Sequence, residues 1–202
     1  MNVVKTSRRE MYAALTRDAV LEAARTLFVD RGFADTSVED IAKLANVSKG
    51  AVYHHFSDKQ AIFTQLFRDS LAGGLATVAN AMTDVEDPWE RVVRALRSYL
   101  TVYAEDKEAR SLLQQVVGVL GEARTCALDE ELVLPMIRAL LVELDDAGEL
   151  KPVSIEATTR LVFDVLCGAA KSLAGTDETD SASGELETVI LHMFSGLRRT
   201  AR

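Results

Sequence analysis

The amino-acid sequence predicts an all-α fold of about nine helices. Apolar residues recur at the spacing of a helix with one buried face, as at Val20, Ala24, Leu27 and Phe28. No segment sustains the alternation of apolar and polar residues that would indicate a half-buried strand. Only three prolines occur in 202 residues, and Pro88 follows Asp87, the arrangement that starts a helix.

The first third of the chain contains the start signals of three helices. Thr16 is a candidate N-cap for the first, and Gly32 suits the left-handed backbone position just after its end. Ser37, with Asp40 three residues later, forms a capping box for the second helix, and Ser48 is a candidate N-cap for the third. We therefore expect helices over about residues 16–31, 37–45 and 48–56.

A longer helix begins near Ser57 and continues to about Met82. Gly73 and Gly74 lie within it, and each glycine costs roughly 1 kcal/mol relative to alanine inside a helix. We expect an end or a bend there, and a hinge is the alternative. The stretch 175–184 (GTDETDSASG) is typical of a polar loop. Further helices are expected over about residues 88–103, 108–120, 129–147, 154–174 and 185–199. Pro135 lies within the first two turns of the third of these, so a start later than Asp129 is the alternative.

The composition is that of a soluble globular protein with a substantial core. Hydrophobic residues make up 48% of the chain and charged residues 27%. No apolar run reaches the about 18 residues of a membrane-spanning helix, and the first residues lack the apolar segment of a secretory signal. Cys126 and Cys167 are too few and too far apart for a disulfide framework. We therefore expect two buried thiols and a cytoplasmic location.

The charge is unevenly distributed along a chain whose formal net charge is -8. Residues 1–68 carry ten Lys and Arg against eight Asp and Glu, whereas the rest of the chain carries thirteen against twenty-three. A molecule with a negative net charge is repelled by nucleic acid. The slightly basic residues 1–68 therefore form the part of the chain that is repelled least. An ordinary solvated surface is the alternative explanation.

The segment VSKGAVYHHFSDK, from Val47 to Lys59, has the pattern of the second helix of a helix-turn-helix. Two short helices joined by a tight turn define that motif, and its second helix lies in the major groove of DNA. Val52 and Phe56 stand four residues apart and predict the buried face of this helix. The residues left on its outer face are able to bind phosphates and base edges: Lys49, Gly50, Tyr53 and His54.

The adjacent residues His54 and His55 do not predict a metal site. Neighbouring side chains on a helix point about 100° apart, so the two rings cannot bind one ion together. No third ligand is close in sequence, and His192 is expected to be an ordinary helix residue. We expect no metal and no cofactor.

A family resemblance rests on the span from Thr16 to about Phe67. Within it, AARTLFVDRGFADTSVEDIAKLANVSKGAVYHHFSDK resembles the signature of TetR-type transcriptional regulators (the TetR/AcrR-like repressor family) nearly position by position. The resemblance implies a homodimer that binds a palindromic double-stranded DNA operator and represses transcription until a small molecule binds. The residues at the positions where the family touches DNA are Thr36 or Ser37, Ser48, Lys49, Gly50, Tyr53, His54 and Lys59.

The resemblance also implies the domain organisation. Residues 16–68 correspond to the helix-turn-helix DNA-binding domain, and residues 69–202 are similar in size and helix order to the family's ligand-binding and dimerisation domain. Residues 1–15, which include Lys5, Arg8 and Arg9, form an N-terminal extension. We expect this extension to be flexible, and contact with a minor groove is the alternative.

The middle helices are expected to surround an effector pocket, since such pockets are mostly apolar with a few polar groups. Few cationic residues occur on their apolar faces, which favours a neutral or cationic apolar effector over a multiply anionic one. An ordinary core position is the alternative for each aromatic residue or methionine. The candidate pocket residues are Trp89, Tyr99, Tyr103, Gln114, Gln115, Met136, Phe163 and Cys167.

Two C-terminal helices carry apolar stripes that are available to a second copy of the chain. Small residues in the first stripe would let helices approach closely, and packing within one protomer is the alternative. The resemblance, in which the last two helices form a four-helix dimer interface, favours dimerisation. The candidate interface residues are Leu161, Val165, Gly168, Ala169 and Ser172 in the first stripe, and Leu186, Val189, Ile190, Met193 and Leu197 in the second.

Two other classes of function remain as alternatives. An all-helical enzyme is disfavoured because no nucleophile, metallopeptidase or phosphate-loop motif occurs, and the acidic pair Asp145-Asp146 lies at a helix end. A protein-interaction adaptor that uses the helix-turn-helix only for packing is the other alternative. We therefore predict a DNA-binding regulator that is not an enzyme.

Overall fold

A computed structural model of the chain describes residues 8–199, without the side chain of Arg9. This part of the chain forms ten helices and no strand, in agreement with the predicted all-α class. None of the helices in it is both long and apolar enough to cross a membrane. The helices are α1 (Arg8–Arg31), α2 (Val38–Leu44), α3 (Lys49–His55), α4 (Lys59–Ala81), α5 (Pro88–Glu105), α6 (Lys107–Leu120), α7 (Glu122–Leu132), α8 (Leu134–Asp146), α9 (Ile155–Ala174) and α10 (Thr179–Ser195).

The first part of the chain forms a unit of three helices and the beginning of a fourth, here called the head, which comprises α1, α2, α3 and α4 as far as Phe67. The rings of Phe28 and Phe63 are fully buried at its centre, with centroids 5.6 Å apart. Ile41 on α2 and Val52 on α3 are buried against the same core. The remainder of the chain, from the second half of α4 to α10, is here called the body.

Local sequence signals set the geometry of the two helices that form the motif. The Ser37 hydroxyl accepts a hydrogen bond from the Asp40 amide at 3.1 Å, and Asp40 accepts one from the Ser37 amide, so the predicted capping box is confirmed. Asn46 has φ 54°, the left-handed turn conformation that asparagine tolerates. Ser48 then caps α3 by accepting a hydrogen bond from the Ala51 amide at 3.1 Å.

The N-terminal boundary of α1 differs from the prediction. The helix begins at Arg8, so the expected flexible extension is helical over residues 8–15, and residues 1–7 lie outside the described part of the chain. Thr16 is not an N-cap, because its hydroxyl donates to the Tyr12 carbonyl at 2.9 Å inside the helix. The physical reason is that this segment contains neither glycine nor proline and continues the helix without a break.

The Gly73-Gly74 pair does not end α4, which runs unbroken from Lys59 to Ala81. A Cβ atom on Gly74 would meet the Val102 side chain at 3.6 Å, an ordinary contact distance. The glycine therefore lies where α4 and α5 approach each other. Packing against α5 stabilises a helix that the intrinsic propensity of these residues disfavours.

Two boundaries in the body also differ from the prediction, and the first of these differences raises the helix number from nine to ten. The expected helix over residues 129–147 is divided into α7 and α8 near Val133, just before Pro135, because proline fits only the first turn of a helix. The expected polar loop over residues 175–184 is shorter, since α10 begins at Thr179. Glu185 is thus an interior residue of α10 rather than its beginning.

The helix α6 joins the head to the body. Leu112 and Val116 of α6 are fully buried in the core of the head. The Gln115 side chain accepts a hydrogen bond from the Phe33 amide at 2.6 Å and donates one to the Phe28 carbonyl at 3.1 Å. One helix therefore provides both apolar and polar contacts to the end of α1 and the turn that follows it.

Candidate nucleic-acid interface and internal cavity

The helix α3 has one buried face and one exposed face. Val52 is 1% exposed, and Phe56, the residue after the helix, is 6% exposed. Lys49, Gly50 and His54 are exposed, and Tyr53 is 47% exposed. The predicted division of this helix is therefore observed, and its outer face offers one cation and several hydrogen-bonding groups.

Lys49 is held by an acidic neighbour in the absence of nucleic acid. Its ammonium forms an ion pair with Glu39 on α2 and lies 5.8 Å from the centroid of the Tyr53 ring. The hydrogen bond with Glu39 raises the pKa of Lys49, and the same bond lowers the pKa of Glu39. A phosphate that binds Lys49 must therefore compete with this exposed carboxylate, a residue that the sequence patterns did not indicate.

Two serines lie exposed at the starts of α2 and α3. The Ser48 hydroxyl uses its acceptor on the Ala51 amide, and its hydrogen remains available as a donor. The Ser37 hydroxyl donates to Asp40 at 2.6 Å. Ser48 is thus free to donate to a phosphate, whereas Ser37 must first break its bond with Asp40.

Two of the candidate DNA contacts are engaged inside the head. Thr36 is 2% exposed, and its hydroxyl donates to the Gly32 carbonyl at 2.8 Å. The Lys59 ammonium donates to the carbonyls of Phe33 and Thr36 at 2.6 and 2.7 Å and lies 4.1 Å from the centroid of the Phe33 ring. Both side chains therefore hold the turn after α1, and the donors that they use there are not available to DNA.

The two adjacent histidines lie at the end of α3. The rings of His54 and His55 are 5.1 Å apart between centroids and nearly perpendicular, with His55 half-buried. Across residues 8–199, no three side chains of His, Cys, Asp or Glu come together as a metal site would require. His54 lies on the outer face of the helix, whereas the side chain of His55 is half-buried.

The body contains an internal cavity of about 190 Å³, lined by residues from α4 through α10. Gln115 lies outside it because its amide bridges to the head, and Gln114 lies outside it because its amide donates to the Ala174 carbonyl. The lining also contains Asp129 and Lys171, which the sequence patterns did not indicate. Of the eight candidate residues, those that line the cavity are Trp89, Tyr99, Tyr103, Met136, Phe163 and Cys167.

The polar groups of the cavity lie in apolar surroundings that change their acidity. Burial raises the pKa of Asp129 to about 6, although the positive charge of Lys171 lowers it. Burial, followed by the charge of Asp129, raises the pKa of the Cys167 thiol to about 12. The Tyr99 hydroxyl donates to the Leu166 carbonyl at 3.0 Å. The expectation of two buried thiols was wrong, since Cys126 is exposed on α7 and Cys167 is only half-buried.

Part of the predicted dimer surface lies exposed on α9 and α10. Leu161 is 65% exposed, Val189 57% and Met193 54%, and these are large apolar side chains without cover. Gly168 and Ser172 are also exposed.

The other candidates of the dimer surface are more enclosed. Val165 and Leu186 are half-buried. Ala169 and Ile190, 3% and 2% exposed, pack within the protomer, and Leu197 lines the cavity. The uncovered apolar surface is therefore narrower than the two predicted stripes.

A helix-turn-helix with an exposed recognition helix, carried on a helical body, defines the class of helix-turn-helix DNA-binding proteins. The profile of "Bacterial regulatory proteins, tetR family" matches residues 20–66. The profile of "Tetracyclin repressor-like, C-terminal domain" matches residues 89–197, more than half of the chain. The chain belongs to the TetR family, as the resemblance predicted.

Individual relatives agree with this assignment. The transcriptional repressor AcnR of Corynebacterium efficiens is 28% identical over 185 residues, which cover 86% of this chain and 90% of that protein. The repressor KstR2 of Mycolicibacterium smegmatis is 43% identical over 58 residues, or 29% of this chain and 28% of that protein. A TetR-family regulator from Pectobacterium atrosepticum has a similar crystal structure, with a TM-score of 0.82, 26% identity and coverage of 98% and 100% of the two chains. The protein is therefore a DNA-binding transcriptional regulator and not an enzyme.

Proposed function

We propose that this protein is a homodimeric repressor that binds a palindromic operator and leaves it when a small apolar molecule enters the cavity of the body. The observation that carries the proposal is the uncovered outer face of α3, on which Lys49, Gly50, Tyr53 and His54 lie together. The protein would act in the cytoplasm, where it meets the chromosome.

The chemistry of the outer face of α3 suits DNA. Lys49 binds either a phosphate or the acceptors of guanine, and Gly50 lets the backbone come close to a phosphate. Tyr53 and His54 donate hydrogen bonds and offer ring surface to sugars or to a thymine methyl group. Ser37 and Ser48 belong to the proposed contacts with the backbone of DNA, whereas Thr36 and Lys59 act by positioning the turn beneath them.

The exposed apolar side chains of α9 and α10 support dimerisation. Leu161, Val189 and Met193 leave a large apolar area in water, and surfaces of this kind mark sites of association. A symmetric dimer would present two copies of α3, which must be separated by about 34 Å, one turn of DNA, or by a multiple of that distance. The twofold symmetry of the dimer is the reason for expecting a palindrome.

The link between cavity and head supports relief by a ligand. Ala109 and Val116 of α6 line the cavity, and Gln115 of the same helix is bonded to the head. A ligand that shifts α6 would therefore move the end of α1. Such a ligand lowers the population of the DNA-binding state only if it binds the state that does not bind DNA with higher affinity.

Electrophoretic mobility shifts with DNA from the region upstream of the gene test the DNA-binding part. The expected result is retardation of a fragment that contains an inverted repeat, with affinity that falls steeply as salt rises. The double variant Lys49→Ala/Tyr53→Ala should lose at least about tenfold in affinity for that fragment. Arg94→Ala, which removes an exposed cation of the body, should bind like the unmodified protein. Equal binding by the double variant would contradict the proposed interface.

Sedimentation measurements test the dimer. Leu161→Asp and Val189→Asp each place a charge on the exposed apolar surface. Each variant should be a monomer that is as stable as an isolated unmodified protomer but that binds the inverted repeat weakly. Val142→Asp, at an exposed apolar position of α8, is the matched control and should remain dimeric. A monomeric unmodified protein at micromolar concentration, or dimers in all three variants, would contradict this surface.

A further inference from the structure

The cavity of the body contains a carboxylate without a partner. Asp129 on α7 lines the cavity and is half-buried. Among the residues that the structure describes, none forms a hydrogen bond or an ion pair with its carboxylate. An unpaired carboxylate in apolar surroundings is unfavourable, so this site favours a ligand that supplies a positive charge or a donor.

A second polar side chain, Tyr103, lines the same cavity. Tyr103 is 9% exposed, and its hydroxyl forms no hydrogen bond within residues 8–199, whereas the neighbouring Tyr99 hydroxyl is bonded to Leu166. Burial, followed by the charges of Cys167 and Asp129, raises the pKa of Tyr103. Asp129 and Tyr103 therefore offer two polar groups to a ligand of this cavity.

Aromatic rings also line this cavity. The Tyr99 and Tyr103 rings are 5.1 Å apart between centroids in an edge-to-face arrangement, and Trp89 and Phe163 also line the cavity. The faces of such rings attract cations. The remaining wall is apolar, so it matches a hydrocarbon body rather than a second charge.

One cation of the wall competes for Asp129. Lys171 on α9 lines the cavity and lowers the pKa of Asp129, but it is exposed and lies beyond the 4.0 Å of an ion pair. The other titratable groups of the wall are Tyr99 and Tyr103 on α5 and Cys167 on α9, all neutral at physiological pH. A hydrated lysine at that distance leaves the carboxylate available to a closer cation.

This inference rests on the function proposed above: we propose that the effector is a compact apolar molecule with one protonated amine, which Asp129 binds by a charge-assisted hydrogen bond inside the cavity. A neutral effector would leave the carboxylate unpaired, and an anionic effector would add a repelling charge. An amine satisfies the carboxylate, and the apolar wall contacts the hydrocarbon part of the molecule.

Calorimetric titration of the full-length protein with three probes of similar shape tests the assignment. The probes are phenethylamine, the neutral phenethyl alcohol and the anionic hydrocinnamate. The amine should bind at least about tenfold more tightly than either of the others. Asp129→Asn should remove that preference and leave the affinity for the alcohol unchanged. Glu130→Gln, which removes an exposed carboxylate at the next position of α7, should leave all three affinities unchanged.

The unmodified protein offers a second measurement that needs no variant. Since the amine binds the ionised carboxylate, its affinity should rise as the pH rises through about 6, while the affinity for the alcohol stays flat. Equal affinities for amine and alcohol, a pH-independent amine affinity, or no saturable binding of the amine at millimolar concentration would each overturn the assignment.

A separate mobility-shift measurement distinguishes this inference from the proposed function. The amine should release the protein from the inverted repeat, and release should be lost in Asp129→Asn. Binding of the amine through Asp129 without release would leave the ligand site intact and contradict relief by that ligand. Release of DNA by the alcohol or by hydrocinnamate, but not by the amine, would support the repressor and overturn the assignment of the amine.

Discussion

The head and the body use buried aromatic residues in opposite ways. In the head, the rings of Phe28, Phe33 and Phe63 pack on one another with centroid distances of 5.5 to 5.6 Å around a closed core. In the body, Tyr103 and Phe163 border an internal space of about 190 Å³. Well-packed cores resist deformation, whereas an internal cavity can admit a ligand or allow the side chains around it to rearrange. The difference suggests a rigid part that presents α3 and a deformable part that responds to ligands.

The largest expected effect comes from opening the closed core. Phe63→Ala should lower the free energy of unfolding by about 3–5 kcal/mol, because the ring is fully buried and contacts two other rings. Phe163→Ala, at the half-buried edge of the existing cavity, should cost only about 1–2 kcal/mol. Urea unfolding monitored by circular dichroism measures both. Equal losses would contradict the contrast between a closed and an open core.

The next effect concerns the link between the two parts. Gln115→Ala leaves the Phe33 amide without its partner and removes one of the two hydrogen bonds to the Phe28 carbonyl, so it should cost about 1–3 kcal/mol and weaken the effect of any ligand on DNA binding. Gln114→Ala removes the neighbouring amide, which is exposed and bonded within the body. That control should cost less than about 0.5 kcal/mol in the same unfolding measurement. A similar loss in both variants would mean that the link to the head has no special role.

A smaller effect follows from the acidity of the cavity. The pKa of Asp129 is raised from 3.8 to about 6 in the folded chain, so the folded state holds this proton more tightly than the unfolded state. Its contribution to stability is therefore present below about pH 4 and is lost as the pH rises through about 6. Asp129→Asn should gain about 1 kcal/mol at neutral pH, a value discounted for the half-exposed position, and nothing at low pH. Unfolding midpoints across this range measure the difference, and a gain that does not depend on pH would contradict the assigned acidity.

The smallest expected effect concerns the ion pair on the head. Glu39→Gln frees Lys49 from its carboxylate partner and removes a negative charge near the DNA. The affinity for the inverted repeat should rise by a few-fold at low salt and converge with that of the unmodified protein at high salt. Glu22→Gln on α1, whose exposed carboxylate pairs with the half-buried Arg25, serves as the control. Weaker binding by Glu39→Gln would mean that the pair orients Lys49 for DNA instead of restraining it.

Sequence patterns predicted the motif of the head in detail because its signals are local. Ser37, Asp40 and Ser48 act on backbone amides within three residues of themselves, and Asn46 sets its own turn. The roles of Thr36 and Lys59 were not predictable, because their partners are carbonyls placed by the packing of other helices. The spacing of residues in the sequence identifies which of them are close to the recognition helix. It does not identify the hydrogen-bond partner of each side chain.

The body was predicted less completely because its boundaries depend on tertiary packing. The helix α7 has no side-chain cap and follows Gly121, so no local signal marked its beginning. Asp129 was therefore assigned to the start of a later helix and was not considered as part of the cavity. In the same way, Gln115 has the polarity of a pocket residue, and only the position of α1 beside α6 reveals that its amide serves the head.

The central claim is that two copies of the head present α3 to DNA as a symmetric pair. Hydroxyl-radical footprinting of the full-length protein on its upstream region tests this claim most directly. We predict two protected patches on one face of the duplex, related by twofold symmetry, with centres about 34 Å apart or a multiple of that distance. Both patches should weaken together in Lys49→Ala/Tyr53→Ala. A single asymmetric patch, or a footprint that this double variant leaves unchanged, would contradict it.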